Sequence, residues 1–204
     1  MNSKKVAGIV LAAGSSSRFG KVKQLLPWCE KNLVNTVLEK AHLAGLSPVI
    51  LVLGANAQII QDSVLDQETR IVINPEWEIG QSSSIKKALS SLAEKVEGAL
   101  FLLCDQPHLS VHLIASVAEH GLRAQKVIVP YVNDRRANPV YFPAECFPMF
   151  EKLEGNQGGR KIIGECAHTL LPWLDEWMAR DIDTESDYIE LCQHYGIPLA
   201  ANKV

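Results

Sequence analysis

"VLAAGSSSRFGKVKQLLPW", residues 10–28, leaves an apolar run through Ala12, Ala13 and Gly14, passes three serines, and presents Arg18, Lys21 and Lys23 within six residues. Small residues at 12–14 let a ligand approach the backbone closely. Ser15 to Ser17, with Gly14, can form a concave set of backbone N–H groups that receives an anion. Arg18 and Lys23 can then neutralise a polyphosphate; at about 4 Å each such charge pair is worth about 4 kcal/mol at an effective dielectric of about 20, before desolvation. The familiar templates do not fit. G-x-G-x-x-G is broken at Ser16, and the P-loop spacing fails because five residues separate Gly14 from Gly20 and Lys21 is followed by Val22. A solvated loop with incidental charges has the same composition, but few such loops follow a buried first strand so directly.

Working outward, apolar runs of strand length recur: VAGIVLA at 6–12, PVILVL at 48–53, RIVI at 70–73, GALFLL at 98–103 and KVIVP at 126–130. Continuous apolarity is expected of parallel strands covered on both faces. Helical spacing fills the gaps at 32–46, 56–66, 82–95 and 110–122, with Asn56, the serines at 82–84 and Ser110 as expected caps. This alternation predicts an α/β class with a doubly wound, mostly parallel sheet. ANPVYFP at 137–143 reads as an antiparallel strand or hairpin whose prolines suit a sheet edge. With no repeat or linker, residues 1–204 are expected to form a single domain.

The bulk properties narrow the function. A net charge of −3 gives no general attraction to nucleic acid or an anionic membrane. Five scattered cysteines without a CxxC pair argue for free thiols in a reducing, cytoplasmic setting, against a zinc site or a disulfide framework. The apolar run after MNSKK ends too soon for a signal peptide, so a buried first strand is the better reading.

Ligands of open α/β sheets sit beyond the carboxyl ends of strands where strand order reverses. Two segments stand at such ends: the loop from Ala12, and Cys104-Asp105-Gln106-Pro107 after GALFLL. Asp105 either caps a turn before Gln-Pro or is a carboxylate at the mouth of the sheet. Beside a polyphosphate site, the second role implies Mg²⁺, which binds through one or two carboxylates plus substrate phosphates. Asp181-Ile182-Asp183-Thr184 is a second acidic cluster, with Asp183 or Thr184 equally readable as the cap of the last helix. Its two carboxylates are expected to face opposite ways, leaving Asp183 toward the site.

At these residues the chain resembles nucleotidyltransferases with a GT-A-like Rossmann fold, whose signature is L-A-[AG]-G-x-S-x-R-[FM]-G-x-x-K. It is most similar to the molybdenum cofactor cytidylyltransferases and their relatives. NPEWEIGQSSSIKKAL, CDQP, ANPVYFP, GNQGGRKII and DIDTESDY match further segments of that pattern in order, over most of the chain. The resemblance implies a Rossmann-like, three-layer fold of the nucleotide-diphospho-sugar-transferase type. It also implies that Leu11, Ala12, Ala13 and Gly14 line the nucleotide, that Arg18 and Lys23 act on its triphosphate, and that Asp105 is the main Mg²⁺ ligand with Asp183 completing the metal site. Ser84 would contact base or ribose, or simply cap a helix. Asn138 and Asn156 stand where many members carry His and Asp, departures on the acceptor side.

The implied reaction is transfer of CMP from CTP to molybdopterin, with pyrophosphate released and the product handed to a molybdoenzyme. A guanylyltransferase for the same cofactor usually reads L-A-G-G where this chain has Leu11-Ala12-Ala13-Gly14. A sugar-phosphate or polyol-phosphate nucleotidylyltransferase shares LAAG but fits NPEW and DIDT less well. A non-catalytic nucleotide-binding chaperone would not need Arg18, Lys23, Asp105 and Asp183 together.

Overall fold

Successive residues of the first strand face two different interiors. Val6, Val10 and Ala12 join one buried cluster, while Ala7 and Ile9 join another on the opposite face. Period-2 alternation within an all-apolar run therefore feeds two cores, as a sheet sandwiched between helical layers requires. The computed structural model describes residues 5–17 and 19–199. In chain order its elements are β1 (Val6–Ala12), β2 (Pro27–Trp28), β3 (Lys31–Asn32), α1 (Leu33–Leu43), β4 (Val49–Leu53), α2 (Ala57–Asp62), β5 (Arg70–Ile73), α3 (Gln81–Ser90) and β6 (Gly98–Leu103). There follow α4 (Val111–Ala124), β7 (Val127–Val132), β8 (Arg135–Arg136), β9 (Val140–Pro143), α5 (Phe147–Phe150), α6 (Gly159–Ile163), β10 (His168–Pro172) and α7 (Glu185–His194).

The main sheet has the order β10-β7-β9-β6-β1-β4-β5, with β8 pairing β7. β1 is parallel to both β4 and β6, so strand order reverses at β1 and its carboxyl end is a switch point. One core packs α1, α4 and α7 against the sheet through Leu33, Leu38, Val117 and Leu191. The other packs α3, α5 and α6 through Ile85, Phe150 and Ile163, with Phe101, Phe142 and Phe150 in mutual ring contact. This three-layer α/β arrangement is the expected fold class. No described helix is long and apolar enough to cross a membrane.

Several expectations are corrected. β9 is antiparallel, but it lies inside the sheet between β7 and β6 rather than at an edge. Its prolines permit this because Pro139 precedes the strand and Pro143 is its last residue, so no interior donor is missing. Asn56 stands at the N-cap position of α2 in a left-handed conformation and its side chain makes no capping bond. Gly80, not a serine, precedes α3; Ser82 and Ser84 are buried within that helix. Ser110 does cap α4, accepting from the Leu113 amide at 3.1 Å. The two-residue strand β8 and the largely exposed strand β10 carry no clear apolar run, and sequence reasoning missed both, although it read the β7 run at 126–130.

Candidate active site

The parallel register pairs Leu11 of β1 with Leu103 of β6, and the Cys104 amide donates to the Leu11 carbonyl at 3.2 Å. The two loops picked out in the sequence therefore leave the sheet side by side. A cleft of about 640 Å³ opens there, lined by Leu11, Ala12, Ala13, Gly14, Lys23, Ser84, Asp105 and Asp183. Every described residue expected at the nucleotide or the metal thus borders one space. Arg18 lies outside the described residues.

The loop after β1 is held from beneath by Gln24, a residue sequence reasoning missed. Its side chain is 4% exposed, and its amide donates to the carbonyls of Ala12 at 3.0 Å and Gly14 at 2.9 Å. The Ser16 hydroxyl donates back to Gln24 Oε1 at 3.2 Å and accepts from the Lys23 amide at 3.3 Å. Gln24 thus supplies donors to carbonyls that no strand satisfies, as buried backbone groups require. No periodicity marks it; a polar residue between Lys23 and Leu25-Leu26 has only its position as a signal. Close approach completes the wall: a Cβ on Gly54 would lie 2.8 Å from the Ala13 carbonyl oxygen and 2.5 Å from Trp77 Cβ.

Lys23 is the electrostatic hub. Its ammonium lies 2.8 Å from Asp105 Oδ2 and 3.7 Å from Asp183 Oδ1, and donates to the Ile182 carbonyl at 2.6 Å. Expected on a triphosphate, it here bridges the two carboxylates expected to bind metal. Lys31, by contrast, pairs with Glu39 at 2.6 Å, and Lys21 is exposed. The Ile182 amide donates to the Asp105 carbonyl at 3.0 Å, stitching the DIDT segment to the end of β6.

The DIDT reading needs one correction. Residues two apart in an extended stretch share a face, and it is Ile182 that turns into the core, fully buried. Asp181 and Asp183 therefore both lie near Asp105. Burial, then the charges of Asp105 and Asp183, push the Asp181 carboxyl up to about 6. Asp181 accepts from Gln106 Nε2 at 2.7 Å and borders a neighbouring cleft, whereas Asp183 borders the cleft of the first loop. Thr184 is the cap of α7, in a reciprocal capping box with Asp187, so capping does not occupy Asp183. Ser84 accepts from Asn74 Nδ2 at 3.0 Å and is no cap.

Asp105 Oδ1 is buried and has no hydrogen-bond partner among the described residues. Such an atom is costly unless something binds it. A hard divalent cation fits the donor set of Asp105 and Asp183, because such ions take one or two carboxylates and complete their shell with phosphate oxygens and water. Among the described residues no three His, Cys, Asp or Glu converge as an all-protein metal cage. Burial, with the Asp105 charge second, drives the Cys104 thiol well above its ordinary value, so it stays protonated.

The neighbouring cleft, about 610 Å³, shares Leu11, Gln81, Leu103 and Asn156 with the first. Its floor includes Phe101, Val129 and Phe142; its rim carries Asn138, Asp181 and Arg160. Asn156, flagged as a departure, lies in the wall between the two clefts. That wall is tight: Gly80 has φ +125°, and a Cβ there would lie 2.4 Å from the Gly155 carbonyl carbon and 2.6 Å from Asn156 Oδ1.

Comparison with known proteins places this geometry. Residues 8–170 match the model of the MobA-like NTP transferase domain. The nicotine blue oxidoreductase of Paenarthrobacter nicotinovorans is 32% identical, over 88% of this chain and 92% of that protein. The molybdenum cofactor cytidylyltransferase of Escherichia coli is 26% identical, over 92% and 95% respectively. Among solved structures, Rv0371c of Mycobacterium tuberculosis superposes with a TM-score of 0.84 at 27% identity, covering 93% of this chain and 98% of that one; it has also been solved in complex with manganese. The chain belongs to the family of MobA-like NTP transferase domains, which are nucleotidyltransferases.

Proposed function

We propose that this chain transfers CMP from CTP to the phosphate of a molybdopterin-type acceptor and releases pyrophosphate. The observation that carries the reading is the Asp105–Lys23–Asp183 constellation, with an Asp105 Oδ1 that has no hydrogen-bond partner among the described residues, set beside a small-residue loop at the switch point of the sheet. Ala12, Ala13 and Gly14 form the slot for base and ribose, and Ser84 lines the same cleft. Lys23 holds the two carboxylates together and meets the triphosphate; Arg18, by its place in the signature, joins it. Asp105 and Asp183 would hold Mg²⁺, which when bound supplies charge neutralisation for the phosphates. The acceptor phosphate, bound in the neighbouring cleft, attacks the α-phosphate in line: a P–O bond forms to the acceptor and the bond to pyrophosphate breaks. Positioning and electrostatic preorganisation carry such chemistry without a covalent enzyme intermediate.

Pyrimidine preference rests on Ala13, whose methyl group narrows the slot where guanylyl enzymes usually have a second glycine. One carbon discriminates by about 1–3 kcal/mol, so kcat/KM for CTP is expected to exceed that for GTP by about tenfold or more, and Ala13→Gly is expected to shrink the ratio. The test is pyrophosphate release from each of CTP, GTP, ATP and UTP with purified molybdopterin. Equal or GTP-preferring values overturn the cytidylyl assignment. Release with a sugar phosphate alone overturns the acceptor. Oxidoreduction of nicotine blue without any pyrophosphate release would move the chain toward the activity for which its P. nicotinovorans relative is named.

A further inference from the structure

Four of the seven arginines, Arg135, Arg136, Arg160 and Arg180, line one open pocket of about 810 Å³ away from the first loop. They reach it from three separate parts of the chain. Arg135 and Arg136 form β8, carried by a tight hairpin whose turn residues Asn133 and Asp134 have φ +45° and +58°. Arg160 stands in α6 and Arg180 just before the DIDT segment. Arg180 is fixed, with its guanidinium 4.6 Å from the Trp177 ring centroid and 2.6 Å from Glu190. Arg135, Arg136 and Arg160 are different. Among the described residues no carboxylate lies within 4.0 Å of any of them, whereas Arg70, Arg123 and Arg180 each have one. Against Glu176 in the lining and Glu190 behind Arg180, the pocket keeps a surplus of two positive charges in a chain of net charge −3. Arg136 and Arg160 also border the cleft assigned to the acceptor, so the two spaces adjoin.

We propose that this pocket binds a second anionic group of the acceptor, which makes the acceptor class a small molecule charged at both ends. The inference rests on the transferase reading above. One end carries the phosphate presented near Asp105. The apolar floor of Phe101, Val129 and Phe142 holds the middle, and an oxyanion-type group of about two negative charges meets the arginines at the far end. Guanidinium forks suit that chemistry, because each offers paired donors in a plane matched to oxyanions. The site gives the enzyme a ruler for acceptor length that does not depend on the nucleotide.

The experiment uses tungstate as a heavy oxyanion probe, soaked into crystals saturated with CTP and Mg²⁺ so that the nucleotide cleft is filled. Anomalous density is expected between Arg135 and Arg160 in the wild type and is expected to vanish in Arg135→Gln/Arg160→Gln. In solution the double variant is expected to raise the acceptor KM at least tenfold, with the KM for CTP changed less than twofold. The variant Arg135→Lys/Arg160→Lys keeps charge without the fork and is expected to fall between. Tungstate absent from the pocket, equal density in wild type and double variant, or an unchanged acceptor KM each overturns the proposal. If no nucleotide yields pyrophosphate with any acceptor while tungstate still binds in an arginine-dependent way, the transferase reading fails and the anion site stands by itself as an oxyanion-binding pocket.

Discussion

The cleft behind β1 and the arginine pocket behind β7 are both polar concavities of several hundred Å³, yet they are built on opposite plans. In the first, Lys23 compensates the charges of Asp105 and Asp183, Gln24 satisfies the loop carbonyls, and rigid buried strands hold the parts. In the second, three cations have no carboxylate partner among the described residues and stand on a hairpin and a short helix. The difference fits the two roles proposed for these regions. A site that performs chemistry must be preorganised by its own residues before substrate arrives. A site that selects a ligand can leave its charge for the ligand to complete, and loops on a scaffold suit such adaptation.

The sharpest way to break this comparison is Asp105→Asn. It keeps shape and removes the charge proposed to face the reacting phosphates, so turnover is expected to fall by about 10²-fold or more with the melting temperature nearly unchanged. Activity close to wild type at saturating Mg²⁺ would show that the preorganised cleft is not the chemical centre. Next in size is Lys23→Ala, expected to weaken CTP binding by about tenfold, since it removes a charge-assisted partner of two carboxylates and of the incoming phosphates. Lys21→Ala, on the same loop but exposed, is expected to stay within about 0.5 kcal/mol. Titration calorimetry with CTP separates the two, and equal affinities would make the loop a mere solvated segment.

A smaller effect sharpens the boundary between the clefts. Asp183→Ala is expected to reduce kcat several-fold more than Asp181→Ala, because Asp183 shares Lys23 with Asp105 while Asp181 is held by Gln106 and borders the neighbouring cleft. Steady-state kinetics at fixed Mg²⁺ gives the order, and the reverse order would reassign the second carboxylate. The smallest effect concerns neither cleft. His108 is buried against Trp28 and Tyr195, and burial, then the Lys40 charge, push its imidazole down to about 4. The folded state thus keeps His108 neutral where the unfolded chain protonates it. Its contribution to stability is complete above about pH 6.5 and is lost as pH falls toward about 4. His108→Phe is expected to flatten that acid limb of the melting temperature while leaving kcat/KM alone; an unchanged limb would point to other groups.

Local chemistry made much of this legible. VAGIVLA and GALFLL coincide with β1 and β6 residue for residue, because a strand buried on both faces must be apolar throughout, and RIVI coincides with β5, an edge strand that is only partly buried. The largely exposed strand β10, HTLLP, and the two-residue strand β8 lack that demand and went unread. Proline in ANPVYFP pointed to an edge because strand boundaries, which decide whether a missing amide matters, are not visible in composition.

By itself the sequence determined the α/β class, the doubly wound sheet, and a small-residue loop with cations placed at the end of the first strand. These follow from periodicity and short-range spacing, which a linear string records directly. Only the tertiary structure decided that Lys23 faces Asp105 across 82 positions, that Gln24 is the buried brace of the loop, and that Asp181 and Asp183 flank an inward Ile182. It alone brought Arg135, Arg136, Arg160 and Arg180 into one pocket. Such meetings depend on sheet order and on how each element packs across the two cores, and no local pattern encodes which distant charges will share a cavity.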